Sequence, residues 1–297
     1  MRVLVFGGSG MLGHKLAQIL ASDFEVFATL RSDSEASYGL PIPDGARAVF
    51  AVSAGDLDSV ARAIREVRPE VAVNCIGIVK QLEASRDPVS AISVNALFPH
   101  RLAKLCAPAG VRLIQISTDC VFSGERGGYS EDDPADANDL YGRTKLLGEL
   151  HGEHCVTLRT SIIGRELSTS NGLFEWFLGQ NEGSIHGYRK SVFSGFTTQA
   201  LAGIIGGIIS EHPGLEGLWH VAADPISKFD LLTLIRDVYQ LDIEINPDDE
   251  FVCDRSLDGR RFRTETGFAP PSWDQMIREM QQDQTPYDDI RRLHAHR

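Results

Sequence analysis

A chain of 297 residues, 42% hydrophobic and 24% charged, can bury a large core in one or two domains and has an ordinary globular composition. Its net charge of −12 argues against a nucleic-acid or anionic-membrane partner, and no apolar stretch is long enough to span a bilayer. The five cysteines, Cys75, Cys106, Cys120, Cys155 and Cys253, are scattered without a C-x-x-C, which fits reduced thiols in a cytoplasm and excludes a disulfide frame or zinc site.

The opening residues Met1-Arg2-Val3-Leu4-Val5-Phe6 pass directly into glycines. The apolar run is too short for a signal peptide and predicts a first strand over 3–6. Further strands are predicted at 25–30, 47–52, 71–75, 112–117 and 155–159, with helices between them at 12–20, 58–67, 88–107 and 141–150. Strands rich in Val, Ile and Leu that alternate with helices predict an α/β chain. The expected fold is a Rossmann-type doubly wound parallel sheet covered on both faces. Ligands on such sheets bind at the carboxyl ends of strands, and the loops 7–10, 31–34, 76–80 and 118–124 all follow strand ends. Beyond 163 the pattern is less regular. Helices are expected at 173–178, 198–211, 229–239 and 273–281, a strand at 217–221, and a frayed basic tail at 291–297. The expected division is a dinucleotide-binding domain of 1–163 plus 191–223 and a smaller mixed α/β substrate-binding domain of 164–190 plus 224–297.

Gly7, Gly10 and Gly13 form a G-x-x-G-x-x-G run between the first strand and the first helix. Glycines allow a tight turn and let backbone N–H groups approach a pyrophosphate, and the helix N-terminus favours the anion. Ser9, Met11 and Leu12 belong to the same seat. A carboxylate ending the second strand would bind the ribose hydroxyls of NAD. This chain instead reads Thr29-Leu30-Arg31-Ser32, which puts Arg31 where a 2′-phosphate would lie and favours NADPH, with NADH as the alternative.

Tyr141 and Lys145, four residues apart, share one helix face. A nearby ammonium is expected to lower the phenol pKa toward the working range, and the lysine can also reach the cofactor ribose. Ser117-Thr118-Asp119 ends the preceding strand, where a hydroxyl can polarise a carbonyl. Glycine run, hydroxyl and Tyr/Lys pair, in this order, point to nicotinamide-dependent chemistry on a carbonyl or alcohol.

These residues resemble the extended short-chain dehydrogenase/reductase family, in particular its dTDP-4-dehydrorhamnose reductase branch. Residues 117–124, Ser-Thr-Asp-Cys-Val-Phe-Ser-Gly, are similar to the branch's S-T-D-Y-V-F-D-G, and 141–149, Tyr-Gly-Arg-Thr-Lys-Leu-Leu-Gly-Glu, to its Y-G-x-S-K-x-x-G-E. Tyr129-Ser130-Glu131-Asp132-Asp133, Leu158-Arg159-Thr160-Ser161 and Gly217-Leu218-Trp219-His220-Val221 also fit. The resemblance implies reduction of the C4 keto group of a nucleotide-linked 4-keto-6-deoxysugar, as in deoxysugar biosynthesis for surface polysaccharide. The implied catalytic set is Thr118, Tyr141 and Lys145. Asn95 would order the site, and Cys75, Ile76, Gly77, Asn95, Ser117 and Thr160 would join the glycine run, Arg31 and Ser32 around the cofactor. Lys80, Asp119, Cys120 and Arg189 would join Thr118 and Tyr141 around the substrate. Cys120 and Ser123 stand where the branch has tyrosine and aspartate, and a UDP-linked 2-acetamido-4-keto-6-deoxysugar rivals the dTDP-linked one. A lyase or epimerase that keeps NAD bound, and a non-catalytic nucleotide-binding subunit, are the alternative functions. The assembly, monomer or homodimer, is left open.

No metal is expected. The acidic cluster Glu131, Asp132, Asp133, Asp136 and Asp139 lacks the glycine and spacing of a calcium loop and reads as a solvated loop with a helix cap. Cys120 has no neighbouring base in the sequence and reads as a small pocket-lining residue. Arg189, Lys190, Arg255, Arg260 and Arg261 are candidates for a substrate diphosphate, and Trp176 and Phe196 read as core.

Overall fold

The structure, a computed structural model, describes residues 1–35, 40–80, 83–180 and 183–295. Its strands are β1 (Arg2–Phe6), β2 (Glu25–Thr29), β3 (Arg47–Val49), β4 (Val71–Asn74), β5 (Arg112–Ile116), β6 (Cys155–Arg159), β7 (Ile162–Ile163), β8 (Ser184–Tyr188), β9 (Ser191–Phe193), β10 (Phe196–Thr197), β11 (Gly217–His220), β12 (Ile226–Ser227), β13 (Glu244–Asp248) and β14 (Cys253–Asp254). The helices are α1 (Met11–Leu20), α2 (Leu57–Val67), α3 (Pro88–Ala91), α4 (Phe98–Cys106), α5 (Leu140–Leu147), α6 (Leu173–Leu178), α7 (Thr198–Ser210), α8 (Lys228–Tyr239), α9 (Arg260–Thr266), α10 (Trp273–Gln281) and α11 (Tyr287–Ala295). A π-helical stretch, Ile92–Leu97, joins α3 to α4 without a break.

Seven strands form one parallel sheet in the order β11-β6-β5-β4-β1-β2-β3. The Rossmann-type doubly wound fold expected from the sequence is therefore present. Alternation splits each strand between two faces. Val3, Val5, Val71 and Val73 point into a large cluster with α1, α7, α8 and α10, whereas Leu4, Phe6 and Ala72 point into a second cluster with α2 and α4. Because both faces are covered, the strands read as continuous apolar runs. The larger cluster also takes in Phe174, Ile185, Phe193, Ile245 and Trp273 from the second half of the chain.

Strand order reverses between β1 and β4, so the loops after these two strands flank a crevice. They touch: a side chain at Gly7 would meet Ile76 at 3.1 Å. Among the described residues three small sheets lie outside the main one: β7 with β10, β9 between β12 and β14, and β8 with β13.

Two expectations are corrected. Residues 291–295 are not a frayed tail but part of α11, where Arg291 pairs with the buried Glu175; residues 296–297 lie outside the described residues. Trp176 is not core but 42% exposed, whereas Phe196 is fully buried. Among the described residues no helix is long and apolar enough to cross a membrane.

Candidate active site

The glycine run forms a preorganised turn. Gly7 has φ +86°, donates its N–H to Thr29 Oγ1 at 3.1 Å, and accepts at its carbonyl from Gly10 N at 3.0 Å. Glycine is obligatory at 13, where a Cβ would sit 2.0 Å from the Gly7 carbonyl oxygen. Gly10 caps α1 with no side-chain hydrogen bond, and no acid lies in the first turn. The free N–H groups and dipole of this helix end fit a pyrophosphate. Ser9 and Met11 are half-buried, while the Leu12 side chain lies in the core and leaves only its backbone to the seat. Arg31 is exposed just past β2 and forms no ion pair among the described residues; the next carbonyl, Ser32 O, accepts from Ala51 N at 2.8 Å.

The opposite wall of the crevice is held by two asparagines. Asn74 Oδ1 accepts from Ile76 N at 3.1 Å. Asn95, on the π-helical stretch, accepts from Ile78 N at 2.8 Å and donates to Ile78 O at 2.9 Å, a two-point clamp on the loop after β4. A Cβ at Gly77 would lie 3.5 Å from Asn95 Oδ1 and 4.0 Å from Lys145 Nζ, so this loop, Asn95 and Lys145 meet. Cys75 lies at the same place, its thiol pushed up to about 12 by burial.

Helix α5 begins at Asp139, whose carboxylate accepts from Gly142 N at 2.8 Å. It packs directly on the turn after β5: a Cβ at Gly142 would be 2.2 Å from Cys120 O. Lys145 Nζ donates to Ile116 O at 2.7 Å, and burial pulls the ammonium down to about 8. Thr118 Oγ1 accepts from Cys120 N and donates to Asp119 Oδ1, both at 3.1 Å, and the half-buried Tyr141 phenol lies beside the same threonine. The phenol departs from expectation. Burial, then the Cys120, Asp119 and Asp139 side chains, raise its pKa, and Lys145 does not reverse this. The desolvation that disfavours phenolate outweighs the ammonium, whose proton is engaged by Ile116 O. Burial likewise raises the Asp119 carboxyl, against the pull of Thr118, Cys120, Arg255 and Ser161, and pushes the Cys120 thiol up to about 12. Cys120 is thus held as a thiol that lines the site.

A buried polar network supports this turn from below. Glu149 accepts from Ser117 Oγ at 2.7 Å and from Arg159 Nε and Nη2 at 2.8 Å each. Arg159 Nη1 meets His220 Nε2 at 3.2 Å, and His220 Nδ1 donates to Tyr129 O at 2.9 Å. The Arg159 guanidinium also lies 5.2 Å over Phe122. Thr160 O accepts from Asp119 N at 3.1 Å, tying β6 to the same turn. Sequence reasoning quoted Glu149, Arg159 and His220 without a role. The available signal was Arg159 itself, a cation ending the fully buried strand Cys-Val-Thr-Leu-Arg, which requires a buried counter-ion.

Two cations stand at the rim. Lys80 pairs with Asp139 at 2.7 Å. Arg255 donates Nε to Phe122 O at 2.8 Å, faces Cys120, Cys253, Asp119 and Asp139, and has no carboxylate within 4.0 Å among the described residues. Three of the other candidates are engaged elsewhere: Arg189 with Asp249, Arg260 with Asp258, and Arg261 over Trp219 at 4.6 Å. Arg189 is therefore not brought into this cluster, and Arg255 is the arginine that sequence reasoning left undistinguished. The acidic loop is used locally: Glu131 accepts from His220 N, Asp133 from Ser130, Asp136 from Ser123 and Asp139 from Gly142. Among the described residues no three His, Cys, Asp or Glu side chains converge as a metal site.

Comparison with known proteins agrees with this geometry. Residues 1–285 match the profile of the RmlD substrate binding domain. A dTDP-4-dehydrorhamnose reductase of Streptomyces griseus is 38% identical over 149 residues, 50% of this chain and 43% of that protein. The chain spans about half the length of the curated relatives it matches. Among solved structures, a hypothetical dTDP-4-dehydrorhamnose reductase from Sulfolobus tokodaii is 26% identical with a TM-score of 0.75, over 92% of this chain and 98% of that one. A dTDP-4-dehydrorhamnose reductase from Bacillus anthracis in complex with NADP has a TM-score of 0.77 at 23% identity, over 94% and 98%. With a glycine turn at the head of α1, Thr118, Tyr141 and Lys145 gathered after β5, and a family profile that covers nearly its whole length, the chain belongs to the RmlD substrate binding domain family.

Proposed function

We propose that this chain is a cytoplasmic NADPH-dependent reductase of the C4 keto group of a nucleotide-linked 4-keto-6-deoxysugar. The observation that carries the reading is the convergence of three groups: a phenol whose pKa burial raises, the Thr118 hydroxyl beside it, and Lys145 one helical turn away with Nζ on Ile116 O at 2.7 Å. The names of the S. griseus relative and of the NADP-bound B. anthracis structure support a dTDP-linked sugar and NADPH. Residues 1–163 plus 191–223 are assigned to the cofactor and 164–190 plus 224–297 to the substrate.

Bound NADPH supplies the hydride for C4. Tyr141 donates the proton to the sugar O4, and its raised pKa suits the task because a donor must arrive protonated. The Thr118 proton turns from Asp119 to the carbonyl oxygen and stabilises charge there as it develops. Lys145 holds the ribose hydroxyl and places positive charge beside the phenol. Asn95 keeps the loop after β4 in register with Lys145. Arg31 meets the 2′-phosphate. Arg255 and Lys80 receive the substrate diphosphate, while Asp119 and Cys120 line the sugar site. Cys120, held as a thiol, is a poor base for elimination across C5–C6, which favours reduction over a lyase reaction.

The test is a panel of dTDP-, UDP- and GDP-linked 4-keto-6-deoxysugars with NADPH, followed by loss of nicotinamide absorbance. Stoichiometric NADPH consumption with one of them, strongest for dTDP, is expected. Formation of a 4-keto sugar from an intact dTDP- or UDP-hexose with NAD would overturn the reading in favour of the lyase. Binding without turnover would favour a non-catalytic subunit.

A further inference from the structure

The last helix of the chain is fastened to the first. Helix α11 begins at Tyr287, past the span matched by the family profile, and packs beside α1, which carries the phosphate seat. Lys15 on α1 forms a buried ion pair with Asp283 at 2.5 Å and donates to Thr285 Oγ1 at 3.1 Å. Gln199 Nε2 on α7 donates to the same Asp283 carboxylate at 3.1 Å. Arg165 lies 4.7 Å over the Tyr287 ring and bonds Glu175 and Asp288. Leu30, Leu40, Leu167, Tyr287 and Ile290 form one apolar cluster, so the helix also closes over the end of β2.

One thread of this attachment reaches the seat. His14 Nδ1 lies 2.9 Å from Gly10 O, and His14 Nε2 lies 3.0 Å from the Tyr287 hydroxyl. A carbonyl only accepts, so Nδ1 carries the ring proton and Nε2 is left as an acceptor facing the Tyr287 hydroxyl, whose single proton it shares with the Asp283 carboxylate 3.1 Å away. The ring is neutral, in keeping with burial that pulls its pKa down to about 4. Gly10 O also accepts from His14 N at 3.1 Å. The Gly10 carbonyl and the Met11 N–H belong to one planar peptide, so orienting the carbonyl orients that N–H. Gly10 has no side chain to restrain the plane, and no side chain caps it.

We propose that Tyr287 is a positioning residue for the dinucleotide's pyrophosphate, acting through His14 on the Gly10–Met11 peptide. The proposal rests on the reading of the glycine run as a dinucleotide seat. Tyr287 touches no phosphate; it holds fixed, before binding, an N–H that would otherwise have to be ordered during binding. The Lys15–Asp283 pair and the apolar cluster keep the helix in place, and the Tyr287–His14 link carries its position to the seat.

The test uses the full chain and four forms: wild type, Tyr287→Phe, His14→Leu and the double variant. NADPH affinity is measured by nicotinamide fluorescence, thermal midpoint by calorimetry, and KM and kcat by absorbance. Tyr287→Phe removes one hydroxyl and keeps the ring between Arg165 and Lys15. Its NADPH Kd is expected to rise about three- to tenfold, the effect of one hydrogen bond, with KM for NADPH rising in parallel and kcat at saturation held. On the His14→Leu background the Tyr287 change is expected to add nothing to Kd, although it still moves the midpoint. A Tyr287→Phe protein with wild-type Kd overturns the proposal, as do independent, additive Kd effects of the two changes. A wild type that binds no NADPH overturns the dinucleotide reading and the proposal together, an outcome distinct from either.

Discussion

Glu149 provides the sharpest test of what holds the turn after β5. Its side chain is 1% exposed and that of Arg159 is 5%, and the carboxylate accepts two bonds from the guanidinium and one from Ser117. Glu149→Leu keeps a similar volume and removes every acceptor. The guanidinium then keeps only His220 at 3.2 Å and the Phe122 face at 5.2 Å, while Ser117 loses its partner. Stranding one member of a buried pair costs about 3–5 kcal/mol. At about 2–3 °C per kcal/mol for a chain of this size, the thermal midpoint should fall by roughly 6–15 °C. Glu149→Leu with Arg159→Met strands no charge, although Ser117 and His220 each lose a partner, and should recover most of the loss because the large single effect is the penalty of an unpaired buried charge. Calorimetry and equilibrium unfolding in urea on the four proteins give both numbers. A single-variant loss under about 1 kcal/mol, or additive effects of the two changes, would refute the reasoning.

Three further outcomes are expected. Tyr141→Phe removes the proton donor and keeps the ring, so turnover should fall by about two or more orders of magnitude with NADPH affinity little changed; near-normal turnover removes Tyr141 from the mechanism. Arg31→Ala should narrow the preference for NADPH over NADH by roughly ten- to a hundredfold, read as the ratio of kcat/KM values; a wild type that prefers NADH contradicts the assignment. Lys145 is pulled below the usual lysine value to about 8, so it is ammonium below that pH and neutral above it. Since kcat/KM for NADPH reports the free enzyme, that ratio should be level below about pH 8 and decline above it. A profile flat to pH 10 would show that this ionisation is not the one that matters.

The doubly wound sheet, the glycine turn and the pairing of Tyr141 and Lys145 on one helix were legible because each is written locally. Apolar runs set the strands, glycines set the turn, and four-residue spacing set the shared helix face. What escaped was written in pairs of distant segments. β13 reads Glu-Ile-Asn-Pro-Asp, a poor strand by composition, and forms only because β8 lies alongside it. α9 buries only Phe262, and α11 is anchored by Asp283, Tyr287 and Arg291 to Lys15, His14 and Glu175 far earlier in the chain. Arg255 resembled four other basic residues until the fold left it facing Asp119 and Cys120. The direction of the Tyr141 shift was misread because spacing reveals the neighbouring ammonium but not the depth of burial that opposes it.

The π-helical stretch has a consequence for how such a chain tolerates length change. Phe98 N–H bonds Ser93 O, five residues back, so this stretch holds one residue more than an α-helix of the same rise. The wider π turn rotates less per residue than the α-helix does, so losing one residue here would let the ladder close as plain α-helix with its two ends nearly in phase, and only the residues inside the stretch would change place. The two ends already face differently: Val89 and Ile92 are exposed, whereas Phe98 and Leu102 are buried. With α4 anchored by Phe98 and Leu102, a deletion at Ser93 would leave Asn95 in its place relative to α4, whereas a deletion at Ala96 would move Asn95 by one position, off Ile78. A chain shortened by one residue at Ala96 would therefore be expected to keep its sheet and glycine seat and lose the clamp beside Lys145. At this point of the fold a gap in an alignment carries more chemical meaning than most substitutions.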